Sequence, residues 1–386
     1  MTSSQDVFSR KASGVGRTIF VVSLIVVAIA SGVGGYYSGG GFTTAGPTTL
    51  NGAGATFVYP FMSTVAAYYT AANPNVHVNY QSVGSGAGIA QFGAKTVDFG
   101  ATDAPLSSSQ RTNITNVIGT PLTIPESIGA VTIAYNLPGI AASIPLNFTA
   151  TVAAKIFQAN VTQWNDPAIA GLNPGLTLPN QAIVVAHRSD SSGTTFVFTS
   201  WLAKDPVWKL GAGKSVQWPS GTRGGPGNEA VATLVQQNQY AIGYVELNYV
   251  LSTSPPMTFS AVLNPNSNTF VLPSLKTVSN AVSNSSSSLP AGNGDWSSVS
   301  MLNAPGSQSY PITSFTFLQV FQELSHVSGM TQTKAQALVN FLSFVIYEGQ
   351  NRAAAIFYVP LPASVVAIDE AALNSITFNG NALNHT

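Results

Sequence analysis

Cysteine is absent from the 386 residues. That removes disulfides, thiolate metal sites and a lipid-modified cysteine anchor together. Charge is the next scarcity: 14 basic and 14 acidic side chains make up 7% of the chain, where soluble domains usually carry roughly 25%. Ser, Thr, Asn and Gln must cover the surface instead. With a net charge of zero, nothing points to nucleic acid or an anionic membrane surface as a general partner, so any anion specificity has to be local. The four histidines, His77, His187, His326 and His385, are scattered without metal-ligand spacing. No glycine-rich Lys-Ser/Thr P-loop occurs, and no Gly-x-Ser-x-Gly nucleophile elbow. A metal, a cofactor and hydrolytic catalysis are therefore not expected. So little charge suits an acidic exterior, where carboxylates lose theirs; a folding optimum near neutrality with rapid loss in acid would count against that reading.

What the chain does have is apolar mass, 45% of 386 residues, enough for a real core and for two lobes of ordinary size. The rest is organised around the stretch from Ala182 to Ala203. Ile183 to Ala186 is a short apolar run of strand type. Arg188 to Thr194 is a turn cluster, and Thr195 to Ala203 shows helical spacing, with Phe196, Thr199, Leu202 and Ala203 on one side. A helix starting at Ser191–Gly193 points free N–H groups and its positive dipole end back at the turn. Small residues there admit an anion close to the backbone. Arg188 adds a planar fork of donors matched to an oxyanion, and Asp190, two residues on, can hold the guanidinium. An ordinary Ser/Asp helix cap needs no ligand, but the same architecture recurs twice upstream.

The first unit is a short strand into Gly52-Ala-Gly54, followed by a helix from about Val58 to Ala72 that stops at Asn73-Pro-Asn. Thr56 sits where that helix begins. The second is the alternating strand Val76 to Tyr80, a Gly/Ser turn through Gly88, and a short helix from about Ile89 to Ala94, with Ser85 at its entry. Gly84-x-Gly86-x-Gly88 does not fit the dinucleotide fingerprint. Val97 to Asp103 reads as a strand ending in a Pro-containing turn. Ile128 to Asn136 is a strand that crosses into a second lobe; helices follow at 150–157 and, after the Gly-rich loop 218–229, at 230–237. Ala241 to Glu246 is a strand, residues 252–310 read as surface loops with short strands, and the strand from Pro311 returns to the first lobe. Two closing helices are expected at about 334–347 and 361–373. Alternating strands and helices make this an α/β protein, with ligands at the carboxyl ends of the strands.

At the N-terminus, residues 1–17 form a basic leader with Arg10, Lys11 and Arg17. Residues 18–37 are an apolar segment of about 20 residues, just long enough to span a bilayer as a helix. Ala28-Ile-Ala30 fits a secretory cleavage site, the length and Tyr36–Tyr37 fit a retained anchor, and cleavage within the basic leader would leave the apolar run attached. Basic residues before the run place the body outside the cytoplasmic membrane in either case, anchored or secreted. Residues 38–48 read as a flexible linker.

Five segments carry a resemblance to a known family: Gly52-Ala-Gly-Ala-Thr-Phe57, Gly84-Ser-Gly-Ala-Gly-Ile, Val97-Asp-Phe-Gly-Ala-Thr-Asp-Ala-Pro-Leu106, Arg188-Ser-Asp-Ser-Ser-Gly-Thr-Thr-Phe and Ile242-Gly-Tyr-Val-Glu246. In that order they resemble the phosphate-binding proteins that feed Pst-type ABC importers, from about Leu50 to Ile376. The resemblance implies a two-lobed fold of the type II periplasmic-binding-protein kind, with a ligand cleft between lobe I (49–130 and 311–386) and lobe II (131–310). It implies phosphate as ligand and the importer's permease subunits as partners. It implies that phosphate is held by Thr56, Phe57 (through its amide), Ser85, Asp103, Arg188, Ser192, Gly193 and Thr194, with Asp190 orienting Arg188. The chemistry explains why a carboxylate belongs beside an anion: inorganic phosphate carries a proton for Asp103 to accept, and sulfate has none. Two departures stand out. His187 precedes the ligand Arg where the family often has a basic residue, and the 224–228 loop reads Gly-Gly-Pro-Gly-Asn, without the family's Lys. Arg223 either replaces that charge at the cleft edge or is solvated.

Three other readings compete. A secreted hydrolase would use Ser, His and Asp of 187–192, but adjacent His187 and Arg188 point to opposite faces of a strand. A non-transport cell-surface protein would suit the Asn-Xaa-Ser/Thr sequons at Asn113, Asn147, Asn160, Asn284 and Asn384. Another oxyanion, arsenate above all, is the nearest rival within the binding class.

Overall fold

The computed structural model describes residues 46–141, 143–285 and 289–385. The basic leader 1–17, the apolar segment 18–37 and most of the linker 38–48 lie outside these. Among the described residues no helix is long and apolar enough to cross a membrane.

The first part of the chain alternates as its periodicity requires: β1 (Thr48–Gly54), α1 (Tyr59–Ala72), β2 (Val76–Ser82), α2 (Ser85–Gly93), β3 (Phe99–Thr102), α3 (Ser108–Val117) and β4 (Pro121–Asn136). Next come β5 (Asn147–Phe148), α4 (Ala150–Phe157), α5 (Pro167–Ala170), β6 (Val184–Arg188), α6 (Gly193–Leu202), β7 (Arg223–Gly225), α7 (Gly227–Gln237), β8 (Ala241–Glu246) and α8 (Leu247–Leu251). The remainder holds β9 (Thr258–Phe259), β10 (Ala261–Asn264), β11 (Thr269–Val271), α9 (Leu275–Ser285), β12 (Thr313–Phe321), α10 (Gln332–Ile346), α11 (Gln350–Ala353), α12 (Ala363–Asn374), β13 (Thr377–Phe378) and β14 (Asn381–Ala382).

One mixed sheet runs β2-β1-β3-β12-β4-β8-β6-β7, with β9 added beside β4. β1 is parallel to β2 and β3, and β6 is parallel to β7 and β8. β12 runs antiparallel to β3 and β4, and β4 antiparallel to β8. The long strand β4 changes neighbours midway: Pro121–Ala130 pairs with β12, Val131–Asn136 with β8. Its side chains are buried nearly throughout, as expected of a strand covered on both faces. The carboxyl ends of β1, β3, β6 and β8 carry Gly54, Thr102, Arg188 and Glu246, next to the starts of α1, α2, α6 and α8.

Three local expectations change. α2 begins at Ser85 rather than Ile89. Gly88 lies so close to β1 that an added Cβ would sit 2.5 Å from Gly54 Cα and 2.8 Å from Ala53 O. That close packing offsets the helix penalty of the glycines, about 1 kcal/mol each. β4 begins at Pro121, through two prolines, because Pro125 stands beside a bulge where the ladder is already broken. The segment 252–310, read as loops with short strands, also contains the helix α9; its start is closed by Ser274 and Thr277, each side chain accepting from the other's amide.

Candidate anion site

Three helix starts meet at one buried point. Gly84 caps α2 in the left-handed region (φ +87°), a backbone state that favours glycine. The amide of Gly86 donates to Ser191 O at 2.8 Å, so the α2 start lies against the 190–191 turn. A Cβ added to Gly193 would strike Ser85 Oγ and lie 2.5 Å from Asp103 Oδ2. Only a glycine lets β6–α6 approach β3 and α2 this closely. Thr56, Ser85, Asp103, Arg188, Ser192 and Thr194 are each at most 3% exposed, so their polar atoms are not serving bulk water. Phe57 lies in the β1–α1 bend beside Thr56, its ring fully buried and its carbonyl accepting from Tyr358 OH at 2.5 Å. The structure thus brings all eight predicted residues together.

Each site hydroxyl accepts from an N–H, and Ser85 also donates, to Asp103 Oδ2 at 3.4 Å. Thr56 Oγ1 accepts from Asn228 N (3.1 Å) and Nδ2 (2.9 Å). Thr194 Oγ1 accepts from Arg188 Nη1 (3.2 Å) and Asn228 Nδ2 (3.1 Å). Ser192 Oγ accepts from Thr195 N (3.1 Å) as the cap of α6, and Ser85 Oγ from Asp103 N (3.2 Å). Thr56 and Thr194, with both lone pairs taken by N–H groups, have only a proton left to offer, and Ser192, with one taken, can offer its own. The first amides of α6, Gly193 and Thr194, have no acceptor within the helix and add to the same field. This is a surface of donors.

Arg188 is held on two sides. Its Nε and Nη2 donate to Asp190 Oδ1 and Oδ2 at 2.7 and 2.5 Å, and Nη1 donates to Thr194. Those three bonds leave two of its five N–H donors, one on each terminal nitrogen. Its amide donates to Tyr244 OH at 3.1 Å. Burial alone would raise the Asp190 carboxyl, but the hydrogen bonds and charge of Arg188 outweigh it and hold the pKa below the usual range. Asp103 is the opposite case. Burial pushes its carboxyl up to about 7, against the lowering effect of Arg188 and of hydrogen bonds from Thr316 (3.2 Å) and Ser85 (3.4 Å). A ring of donors with a single acceptor near its neutral point suits an anion that still carries a proton.

Residues 42–348 match the model of a PBP superfamily domain. The phosphate-binding protein PstS of Xylella fastidiosa is 40% identical over 330 residues, covering 83% of this chain and 84% of its own. The chain belongs to the PstS family. The PstS protein of Methanocaldococcus jannaschii is 35% identical over 365 residues, 91% of this chain and 92% of its own. In fold, the chain is similar to the solved high-affinity periplasmic phosphate-binding protein PfluDING, bound with phosphate, with a TM-score of 0.68 at 21% identity over 84% of this chain and 93% of that one.

The two departures from the PstS pattern resolve differently. His187 points away from the site: it stacks on Trp218 at 4.9 Å, its Nδ1 lies 2.9 Å from Arg188 O and its Nε2 3.0 Å from Thr222 Oγ1. Burial lowers its pKa, so it brings no positive charge to the cleft. Arg223 is exposed and donates to Asn238 at the far end of α7. It does not replace the family's Lys. Reading the sequence missed Asn228, which ties Thr56 to Thr194 and whose own Oδ1 accepts from Glu246 N at 3.0 Å. Its presence after Gly227 in the Gly-rich loop was the only signal. Tyr244 and Thr316 were also missed, since each reaches the site from a neighbouring strand. Among the described residues no cluster of three or more His, Asp or Glu could hold a metal.

Proposed function

We propose that this chain captures inorganic phosphate between two closing lobes, outside the cytoplasmic membrane, and delivers it to the permease of an ABC importer. Lobe I comprises 49–130 and 311–386, and lobe II 131–310. The exchange of β4 from β12 to β8 between Ala130 and Val131 supports that boundary. Phosphate is bound by the hydroxyls of Thr56, Ser85, Ser192 and Thr194, the amides of Phe57, Gly193 and Thr194, and the free edge of Arg188. Asp103 accepts the phosphate proton, and Asp190 keeps Arg188 in place. The observation that carries the reading is the inventory of this pocket: the hydroxyls of Thr56, Ser192 and Thr194, each accepting from an N–H and left with a proton to donate, and one buried acceptor, Asp103. A receptor of this kind needs no catalytic step, and the chain is read as a binder rather than an enzyme. The names of the PstS relatives support the ligand. Lobe closure is the device that would present a loaded surface to the permease.

Calorimetric titration of a soluble form beginning at Ala45, stripped of ligand, tests this. Phosphate should bind tightly and sulfate give no heat. Equal binding of the two anions would remove Asp103 as proton acceptor, and no binding of either would leave a likeness of fold only.

A further inference from the structure

β4 carries one residue too many for its partner. Thr316 pairs with Ser127 and Phe317 with Pro125, which leaves Glu126 bulged between them. A bulge re-aims a side chain, and this one sends a carboxyl into the interior behind the anion site. Glu126 is fully buried. Its Oε1 lies 3.2 Å from Thr316 Oγ1, and the same Oγ1 lies 3.2 Å from Asp103 Oδ1. Its Oε2 meets no hydrogen-bond partner among the described residues.

Thr316 has one hydroxyl proton and two carboxyl oxygens to serve. If both acids were ionised, one contact would set lone pair against lone pair at hydrogen-bonding distance. The set closes only when one carboxyl is itself a donor. Asp103 has Arg188 and the Ser85 hydroxyl to favour its charge, with Asp190 opposing. Among the described residues, Glu126 has neither a cation nor an amide donor hydrogen-bonded to its carboxyl. The ionisable groups that face it are Asp103 at the end of β3 and Tyr80 of β2, neither of them positive. Burial pushes the Glu126 carboxyl well above the usual carboxylate range; the Thr316 bond opposes that and the charge of Asp103 adds to it.

We propose that Glu126 stays protonated and donates to Thr316, whose hydroxyl donates to Asp103 Oδ1, leaving Asp103 Oδ2 to face the bound anion purely as an acceptor. Glu126 is thus a positioning residue for specificity: it touches no ligand and sets what Asp103 can do. Had Asp103 carried the proton instead, it would donate to sulfate as readily as to phosphate. The inference rests on the phosphate reading above, but its proton can be located without any ligand.

Infrared difference spectroscopy on the ligand-free full chain, at mildly alkaline pH, reads that proton. Wild type minus Glu126→Gln should isolate the C=O stretch of a protonated carboxyl, while the bands of other buried acids such as Glu246 and Asp369 cancel. Carboxylate bands in the difference spectrum would overturn the proposal. A second variant gives a binding readout that does not depend on the first. Thr316→Val removes the O–H that steadies the charge of Asp103, so Asp103 takes up a proton more readily in mild acid. The preference for phosphate over sulfate should then fall about tenfold in mild acid, the factor expected of a one-unit pKa change, and less at alkaline pH. A preference unmoved at both pH values would also overturn it. A wild-type chain that shows the carboxyl band but binds no phosphate sinks the receptor reading and leaves the proton where it was placed.

Discussion

Asp190 and Asp103 flank the same buried site, and their surroundings drive them in opposite directions. Asp190 lies in a bidentate grip with Arg188, which holds its carboxyl below the usual range. Asp103, 1% exposed and with only hydroxyl donors in contact, is pushed up to about 7. One carboxylate serves the protein's own cation; the other is the one proposed to take the ligand's proton. On that reading, one pocket attracts an anion and still tests its protonation state.

The sharpest way to break the contrast is to remove the cation both acids sense. Arg188→Ala leaves Asp190 buried without its partner and takes two donors from the anion. Phosphate affinity should fall by about a thousandfold, since truncating one partner of a buried, hydrogen-bonded charge pair across a binding interface costs roughly 2–5 kcal/mol. Calorimetry would show it, and a loss under tenfold would mean that Arg188 does not face the ligand. Asp103→Asn comes next. The amide turns a donor toward the phosphate O–H, so phosphate should weaken by about a hundredfold, the scale of a hydrogen bond to a charged group, while sulfate improves. Sulfate affinity that stays immeasurable would argue against the assigned role. Asp190→Asn keeps the shape but not the charge and loosens the guanidinium; a loss of about tenfold in phosphate affinity is expected, with selectivity intact. If selectivity changed with it, the two acids would not have separate tasks.

The smallest effect separates the two acids by pH. Asp103 binds a proton in the folded ligand-free chain where the unfolded chain has released it. Its contribution to stability is therefore fully present below about pH 4 and lost as pH rises toward 7. Glu126, Glu246 and Asp369, all raised by burial first of all, act in the same sense. Asp190 acts in reverse, its stability present above the ordinary Asp pKa and lost only as pH falls through its lowered value. His187, lowered by burial, also opposes the first group once pH falls below its ordinary value. Four acids against one histidine predict a melting temperature that rises by several degrees from pH 8 to pH 5. A temperature that falls instead would also defeat the idea that the sparse surface charge suits an acidic exterior.

Most of the site could be read from the sequence because its pieces are local. Each cradle is a strand, a run of small residues and a helix start within about a dozen positions, and Arg188 and Asp190 are two residues apart. What could not be read works through tertiary contact. Asn228 acts on Thr56 from 172 positions away, Thr316 on Asp103 from 213. Glu126 directly follows Pro125, where the sequence gives no strand signal, and only the pairing with β12 makes it a bulge. The helix α9 was hidden for a related reason. Its Ser and Asn residues favour turns, and what holds it is the Ser274–Thr277 cap with Val278, Ala281 and Val282 buried beneath.

The side chain of Asn228 has a consequence for how this pocket can fail. Its two N–H groups fill lone pairs on Thr56 and Thr194 together, so each of those hydroxyls is left with a proton to give. One amide thus sets two donors at once, and a change at that single position would unset both in the same stroke.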